Sequence, residues 1–416
     1  MTSNEPLPIT RTLTAQCLCK NVHLSITLPT AAPPLPVHLC HCSICRTTLG
    51  ALCCFHAALP LGVVPQFLAP SSKAASLTGY THARAACTRY FCSTCGCHIG
   101  DEDLTSNKAA KAAIADPHYP DETSAPPEWR IASSIFAAGT HGEGGPDQAF
   151  RITTHSFANA GPFGLHQWLP RVADRDLKVW QPPAGHPLFP MAAEPYAPAV
   201  PDAAANDELL QVGCHCGGVR FAVSRPSPKA SPHTPISPVH QDRWLANLDG
   251  CDDCRLVNGT HVAAWAFVPL AHIHPPPVLE PAAGELPNPA YATLKTYCFS
   301  PVAIRAFCSI CGATVFFARL ERLHRPDAEG APYINIAVGL LRAPEGVDAH
   351  NWLNWRASRL AFIDSARRFD RSFADGLLNG YSSWGRRTYD EASLVKLKAK
   401  PAGTAQYVAQ GTTYAS

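Results

Sequence analysis

The chain has 416 residues, enough for two or three domains that each bury a core, and two is the first expectation. Its 34 Lys and Arg stand against 32 Asp and Glu, and a formal charge of +2 gives no reason to expect a polyanionic partner, so nucleic acid is disfavoured. A hydrophobic share of 46% with 16% charged residues excludes a chain that stays unfolded, while 40 prolines, about twice the usual share of roughly 5%, argue for long loops and short strands.

The first residues, MTSNEPLPITRTLTAQC, lack a basic start followed by an apolar core, so they do not read as a secretory signal. The best apolar stretch, HVAAWAFVPLAHI, is interrupted by histidine and proline and falls short of the roughly 20 residues a bilayer requires. A soluble protein without a membrane partner is expected, not secreted, cytoplasmic or also nuclear. Its 18 cysteines, in a chain neither small nor visibly secreted, read as metal ligands rather than disulfides.

Those cysteines fall into three blocks that occur twice in one order. The first half has Cys17-Leu-Cys19, then Cys40-His-Cys42-Ser-Ile-Cys45-Arg46, then Phe91-Cys92-Ser-Thr-Cys95-Gly96. The second half has Cys214-His-Cys216, then Asp249-Gly-Cys251-Asp-Asp-Cys254-Arg255, then Phe307-Cys308-Ser-Ile-Cys311-Gly312. Three blocks in one order, with matching flanking residues, point to an internal duplication. The Pro- and Ala-rich run at 181–208 reads as an extended linker, which sets a first domain at 11–180, a second at 209–390 and a tail at 391–416.

Short β-branched or aromatic segments, Val22–Leu28, Val219–Val223, Thr314–Phe317 and Tyr333–Val338, predict strands. The clearest helical periodicity spans Ser358 to Phe373. The expected class is therefore mainly β: two zinc-binding domains of small antiparallel sheets, with few short helices.

A Cys-x-Cys or Cys-x-x-Cys pair puts two thiolates on one tight turn, within reach of a single tetrahedral zinc, and two such pairs complete a four-ligand site. By this logic Cys17, Cys19, Cys92 and Cys95 form one set and Cys214, Cys216, Cys308 and Cys311 another, although seven cysteines in one half allow other groupings. Cys40, Cys42 and Cys45 form a compact run of three, and a fourth position left open is what separates catalytic from structural zinc. Such a site suits an exchangeable thiol, deprotonated on binding. The alternative is a closed structural site completed by a distant ligand or by an extra cysteine such as Cys53, Cys54 or Cys97. In the second half Asp249, Cys251 and Cys254 occupy this block; aspartate can ligate zinc but is a harder ligand, so the site either holds an ion or binds it weakly or not at all. Cys53, Cys54, Cys87, Cys97 and Cys298 have no counterpart in both halves, and most read as buried small hydrophobes.

These motifs resemble the glutathione-dependent formaldehyde-activating enzymes, a domain shared with centromere protein V; the Cys40-His-Cys42-Ser-x-Cys45-Arg46 run is the most specific feature. The resemblance implies a β-tent fold around zinc, resembling a zinc ribbon. It makes Cys17, Cys19, Cys92 and Cys95 structural ligands and Cys40, Cys42 and Cys45 the catalytic set. It implies carbon-sulfur lyase chemistry on a small glutathione adduct such as S-(hydroxymethyl)glutathione, with glutathione as co-substrate. Two zinc ions are expected in the first domain and one or two in the second. Arg46 and Arg255 either hold a glutathione carboxylate or brace the loop. His41, between two ligands, reads as a surface or supporting residue, and His155 and His350, each ahead of aromatics, as core or hydrogen-bonding residues. Two other readings stand beside the lyase: a dehydration or thiol-removal step on a specialised metabolite, and a non-catalytic zinc-stabilised binding module.

Overall fold

The computed structural model describes residues 9–82, 85, 87–103, 128–141, 148–158, 164–181, 208–226, 235–279, 288–324 and 331–398. Of the expected linker, residues 182–207 lie outside the described residues, as do 399–416 of the expected tail.

The chain is mainly β, and the same order of elements occurs in each half. The first half has a three-stranded sheet, Thr10–Gln16, His23–Pro29 and Gln66–Phe67, and the second answers with Leu209–Gly213, Arg220–Ser224 and Ile273–His274. Beside the first lies an eight-stranded sheet in the spatial order Lys178–Trp180, Phe150–Ser156, Leu35–Cys40, Cys54–Ala58, Trp129–Ala132, His98–Asp103, Cys87–Cys92, Leu77–Tyr80. The second half repeats this order without the outermost strand: Leu353–Ala361, Trp244–Asp249, Ala263–Pro269, Tyr333–Ala337, Thr314–Arg319, Ala303–Cys308, Leu294–Ser300. In both, one late strand runs parallel to the strand that ends in the middle cysteine block, through a register shift. The four sequence-predicted strands all form. Alternation explains the first: Leu24, Ile26 and Leu28 of HLSITLP all turn inward and are buried.

The helix expected over Ser358–Phe373 begins later. Strand Leu353–Ala361 uses the first residues, helix Ile363–Phe369 follows, and Asp370 then caps an 18-residue helix, Arg371–Thr388, by accepting from the Phe373 N–H at 3.0 Å. The last helix, Glu391–Lys398, buries Leu397 and receives Arg356 on its carbonyls, so the start of the expected tail is packed. Among the described residues no helix is long and apolar enough to cross a membrane.

A single buried apolar cluster runs through both halves, and several contacts at the seam between them recur with their partners exchanged. The Leu18 N–H donates to the Leu256 carbonyl at 3.1 Å, and the His215 N–H donates to the Thr47 carbonyl at 3.1 Å. Phe307 packs on Gly96 as Phe91 packs on Gly312. Gly50 lies against the Thr314 carbonyl as Gly259 lies against that of His98, and both glycines end short helices at φ near 70°, Gly50 at 74° and Gly259 at 69°. Such mutual contacts are those of an isologous dimer, here made within one chain. The 18-residue helix crosses the seam too: Tyr381 and Trp384 pack on Trp168, which also meets Trp355.

A side chain at Gly259 would meet the His98 carbonyl and hold a left-handed φ. Gly259→Ala is therefore expected to lower stability by about 1–3 kcal/mol. Urea unfolding followed by tryptophan fluorescence checks this. The wild-type chain should unfold in one transition because its core is shared, and an unchanged midpoint or two separate wild-type transitions would contradict it.

Candidate functional site

Each middle block is assembled from three local features. The strand Leu35–Cys40 ends on Cys40, Cys42 is the N-cap of helix Ser43–Leu49, and Cys45 lies in that helix's first turn, so all three sulfurs face one point. Cys42 Sγ accepts the Cys45 N–H at 3.4 Å, the bond an N-cap oxygen would make. The second half builds the same turn: Asp249 ends its strand, and Cys251 caps helix Asp252–Asn258 and accepts the Cys254 N–H at 3.3 Å.

The outer blocks meet over longer range. Cys17 and Cys19 sit on the turn between the first two strands, and Cys92 and Cys95 on the turn between Cys87–Cys92 and His98–Asp103, closed by Gly96 at φ 79°. Their separations include 3.4 Å for Cys17 to Cys19 and 3.5 Å for Cys19 to Cys92, and in the second half 3.6 Å for Cys214 to Cys216 and 3.4 Å for Cys216 to Cys308. Four sulfurs at about 2.3 Å from one tetrahedral ion stand about 3.8 Å apart, so both sets have the spacing and the soft donors a metal ion would need. Val22 and Val219 N–H groups donate to Cys17 and Cys214 sulfur at 3.3 Å each, hydrogen bonds that favour thiolate. The seam adds a tyrosine to each set from the opposite half. The Tyr80 phenol is raised by burial and then by Cys311, Cys216 and Cys214, and the Tyr297 phenol by burial and then by Cys19 and Cys95.

The Cys40, Cys42 and Cys45 cluster is half-buried at Cys40 and buried at the other two, packed with Phe157 and Trp180. The neighbouring thiols Cys40, Cys42 and Cys54 hold Cys45 well below the usual thiol range, with Arg89 adding its charge, while Cys40, Cys45 and burial push Cys42 up. Cys54, directly across from Cys40 in the sheet, interacts with Cys40 and Cys45 but is not part of the group of three. Spacing in the sequence could not single it out from Cys53. The signal is positional, since an antiparallel partner of a strand-ending ligand lies beside it.

The corresponding second cluster differs in more than one residue. Asp249, Cys251 and Cys254 are brought together, yet Asp249 Oδ1 accepts the Cys251 N–H at 2.9 Å, and Ala263 replaces Cys54 opposite it. The buried Arg305 directs its guanidinium at Cys254 sulfur, 3.6 Å away. Burial raises the Asp249 carboxyl. Two of the donors are therefore already engaged within the protein.

The flanking residues separate. His41 is buried, which removes the surface reading, and its Nε2 lies 2.9 Å from His155 Nδ1, whose Nε2 in turn lies 2.9 Å from the Leu169 carbonyl. Burial lowers His155 to about 4, so it stays neutral. His350 is a partly exposed partner of Asp348 at 3.3 Å. Arg255 braces its helix, bonding Asp252 and the Ser134 carbonyl of the other half and stacking on Phe369. Arg46 has a different setting: burial and the nearby Arg342 lower it to about 10, so two cations converge at the seam. Of the cysteines without a counterpart, Cys53, Cys54 and Cys97 are buried, Cys87 is half-buried and pushed up to about 12 by burial, and Cys298 is exposed.

Residues 12–136 match the family model described as glutathione-dependent formaldehyde-activating enzyme, a span that holds all three cysteine blocks of the first half. No curated protein matches the chain. The members of that family are enzymes acting on glutathione adducts.

Two metal-content measurements follow. Cys216→Ser should cost one bound ion per chain and several kcal/mol of stability, because ion binding is part of the folding free energy; unchanged metal content by mass spectrometry would refute it. Asp249→Cys restores the thiolate run and should add an ion relative to wild type; no gain would show that Arg305 and the turn exclude the ion regardless of the ligand.

Proposed function

We propose that the chain is a tandem duplicate of one zinc-thiolate unit, with domains at 11–180 and 209–390, and that its first half is a carbon-sulfur lyase. Its substrate in this reading is a small glutathione adduct such as S-(hydroxymethyl)glutathione. The observation that supports it is the convergence of three cysteine sulfurs, those of Cys40, Cys42 and Cys45, on one point inside the matched span. Cys17, Cys19, Cys92 and Cys95, and likewise Cys214, Cys216, Cys308 and Cys311, are structural ligands, and Asp249, Cys251 and Cys254 form a degenerate middle site.

Cys40, Cys42 and Cys45 would hold a zinc ion, which when bound would supply the Lewis acidity that keeps a substrate thiol deprotonated at neutral pH. The protein's own residues do the rest. Cys40, Cys42 and Cys45 set the position of the incoming sulfur, and Phe157 and Trp180 keep water from it. Arg46, with Arg342 beside it, anchors a glutathione carboxylate, which relieves the repulsion between the two guanidiniums. The bond from His41 to His155 fixes the loop between the ligands. With sulfur and carbonyl carbon held together, the C–S bond forms and the carbonyl oxygen takes up the proton that the thiol gave up; cleavage runs these steps in reverse.

A second reading is favoured by the position of Cys54: a fourth thiolate that closes the cluster and makes it structural. Turnover measured by NMR with formaldehyde and glutathione separates the two. Under the lyase reading Cys42→Ala loses at least 100-fold in rate while the outer-site metal stays, and Cys54→Ala keeps its activity. Full turnover in Cys42→Ala refutes the lyase, and loss of middle-site metal in Cys54→Ala supports closure.

A further inference from the structure

The first half buries a polar cluster that the thiolate sites do not use. His56 lies on strand Cys54–Ala58, and His98 and Asp101 lie on strand His98–Asp103; the three are 5%, 4% and 5% exposed. The two strands flank Trp129–Ala132, where Ala132 stands opposite His56 and leaves room for the histidines to meet. His56 Nε2 and His98 Nε2 are 2.7 Å apart. Asp101 straddles the pair, with Oδ2 3.3 Å from His56 Nδ1 and Oδ1 3.8 Å from His98 Nε2. That second oxygen is buried and has no hydrogen-bond partner among the described residues. The ring centroids are 4.9 Å apart at 17°, which with so short a nitrogen separation places the rings end to end, each nitrogen aimed at the other.

The protein carries its own control for whether this cluster serves the fold. In the second half Trp265 holds the place of His56, two residues past Ala263 as His56 is past Cys54. Thr314 replaces His98, each three residues after the closing cysteine, and Phe317 replaces Asp101, each opposite a buried arginine, Arg305 or Arg89. The same sheet therefore forms with Trp, Thr and Phe at these positions. Burying a carboxylate and two imidazoles costs desolvation that the second half avoids, so stability does not account for their presence.

The protonation states suit ligation. Burial, and then the neighbouring His56, lowers His98 to about 3, leaving a neutral imidazole. Burial opposes the charge on Asp101, but His56 and Arg89 outweigh it and hold the carboxyl at about 2. The neutral imidazole of His98, the carboxylate of Asp101 and the ring nitrogen of His56 beside them are the donor types that bind zinc and similar borderline ions.

We propose that His56, His98 and Asp101 form an additional cation site, a two-histidine, one-carboxylate set for a borderline divalent metal such as zinc, separate from every thiolate cluster. For an ion about 2.1 Å from each donor, tetrahedral ligands stand about 3.4 Å apart, so the imidazoles part by about 0.7 Å and turn out of line until both nitrogens point at the ion, while Asp101 Oδ1 closes by about 0.4 Å. The unpartnered oxygen then gains its partner. The inference does not depend on the lyase reading or on the Cys40 cluster being catalytic.

The test uses the full chain and metal alone. A triple variant, H56W/H98T/D101F, copies the second half's own residues, and circular dichroism confirms its fold. After zinc loading and dialysis, mass spectrometry should find one ion fewer per chain than in wild type. After cobalt loading, thiolate-to-cobalt charge-transfer absorption should be unchanged, because this site has no sulfur, while total bound cobalt again drops by one. Should the triple variant misfold, Asp101→Asn, which keeps the shape and removes the charge, should lose the same ion at limiting zinc. Equal metal content in wild type and a folded variant overturns the proposal and leaves a hydrogen-bonded trio in its place.

Discussion

The close backbone contact at the seam controls both candidate clusters. Gly50 and Gly259 end the two ligand-bearing helices, and each rests on a carbonyl that follows the other half's closing cysteine pair, Thr314 or His98. Only a residue without Cβ fits there at positive φ. Leu18 and His215, which lie between the first ligands of each half, donate to Leu256 and Thr47 on the same helices. Each half's outer cysteine turn is thus pinned to the other half's middle loop, and neither loop's geometry is set by its own half alone.

This mutual bracing explains how the halves could diverge without loss of the fold. The outer four-cysteine sets are alike in spacing, backbone N–H donors and the tyrosine facing them across the seam. The middle sites are not. In the second half the ligand-position carboxylate bonds its own turn, an arginine faces a thiol, and the cross-strand cysteine is alanine. Once the loop is held from outside, its candidate ligand residues are free to change, and the polar trio of the first half could be exchanged for Trp265, Thr314 and Phe317 on the same sheet.

Much of the candidate site was legible because metal ligation forces local spacing. Cys40, Cys42 and Cys45 lie within six residues, on one turn from a strand end to a helix N-cap, so their spacing alone marks them as neighbours, while the seam sets the geometry of the loop that carries them. The pairing of Cys17 and Cys19 with Cys92 and Cys95 was legible only through repetition, since nothing local links residues so far apart. The helix over Ser358–Phe373 was misplaced at its start because residues 353–361 pair with Trp244–Asp249, and a strand partner overrides helical periodicity. His56, His98 and Asp101 went unseen because they come together only across a strand between them.

The sequence by itself determined which residues can ligate soft metal ions, that the pattern occurs twice, and that the chain is mainly β, because ligand type, spacing and strand alternation are local properties. Tertiary structure decided that the two halves share one core, that Arg46 meets Arg342 while Arg255 is already engaged, and that Cys54 rather than Cys53 stands beside the three-cysteine loop. These depend on sheet register and on the seam, where contacts arise between residues that no spacing rule connects.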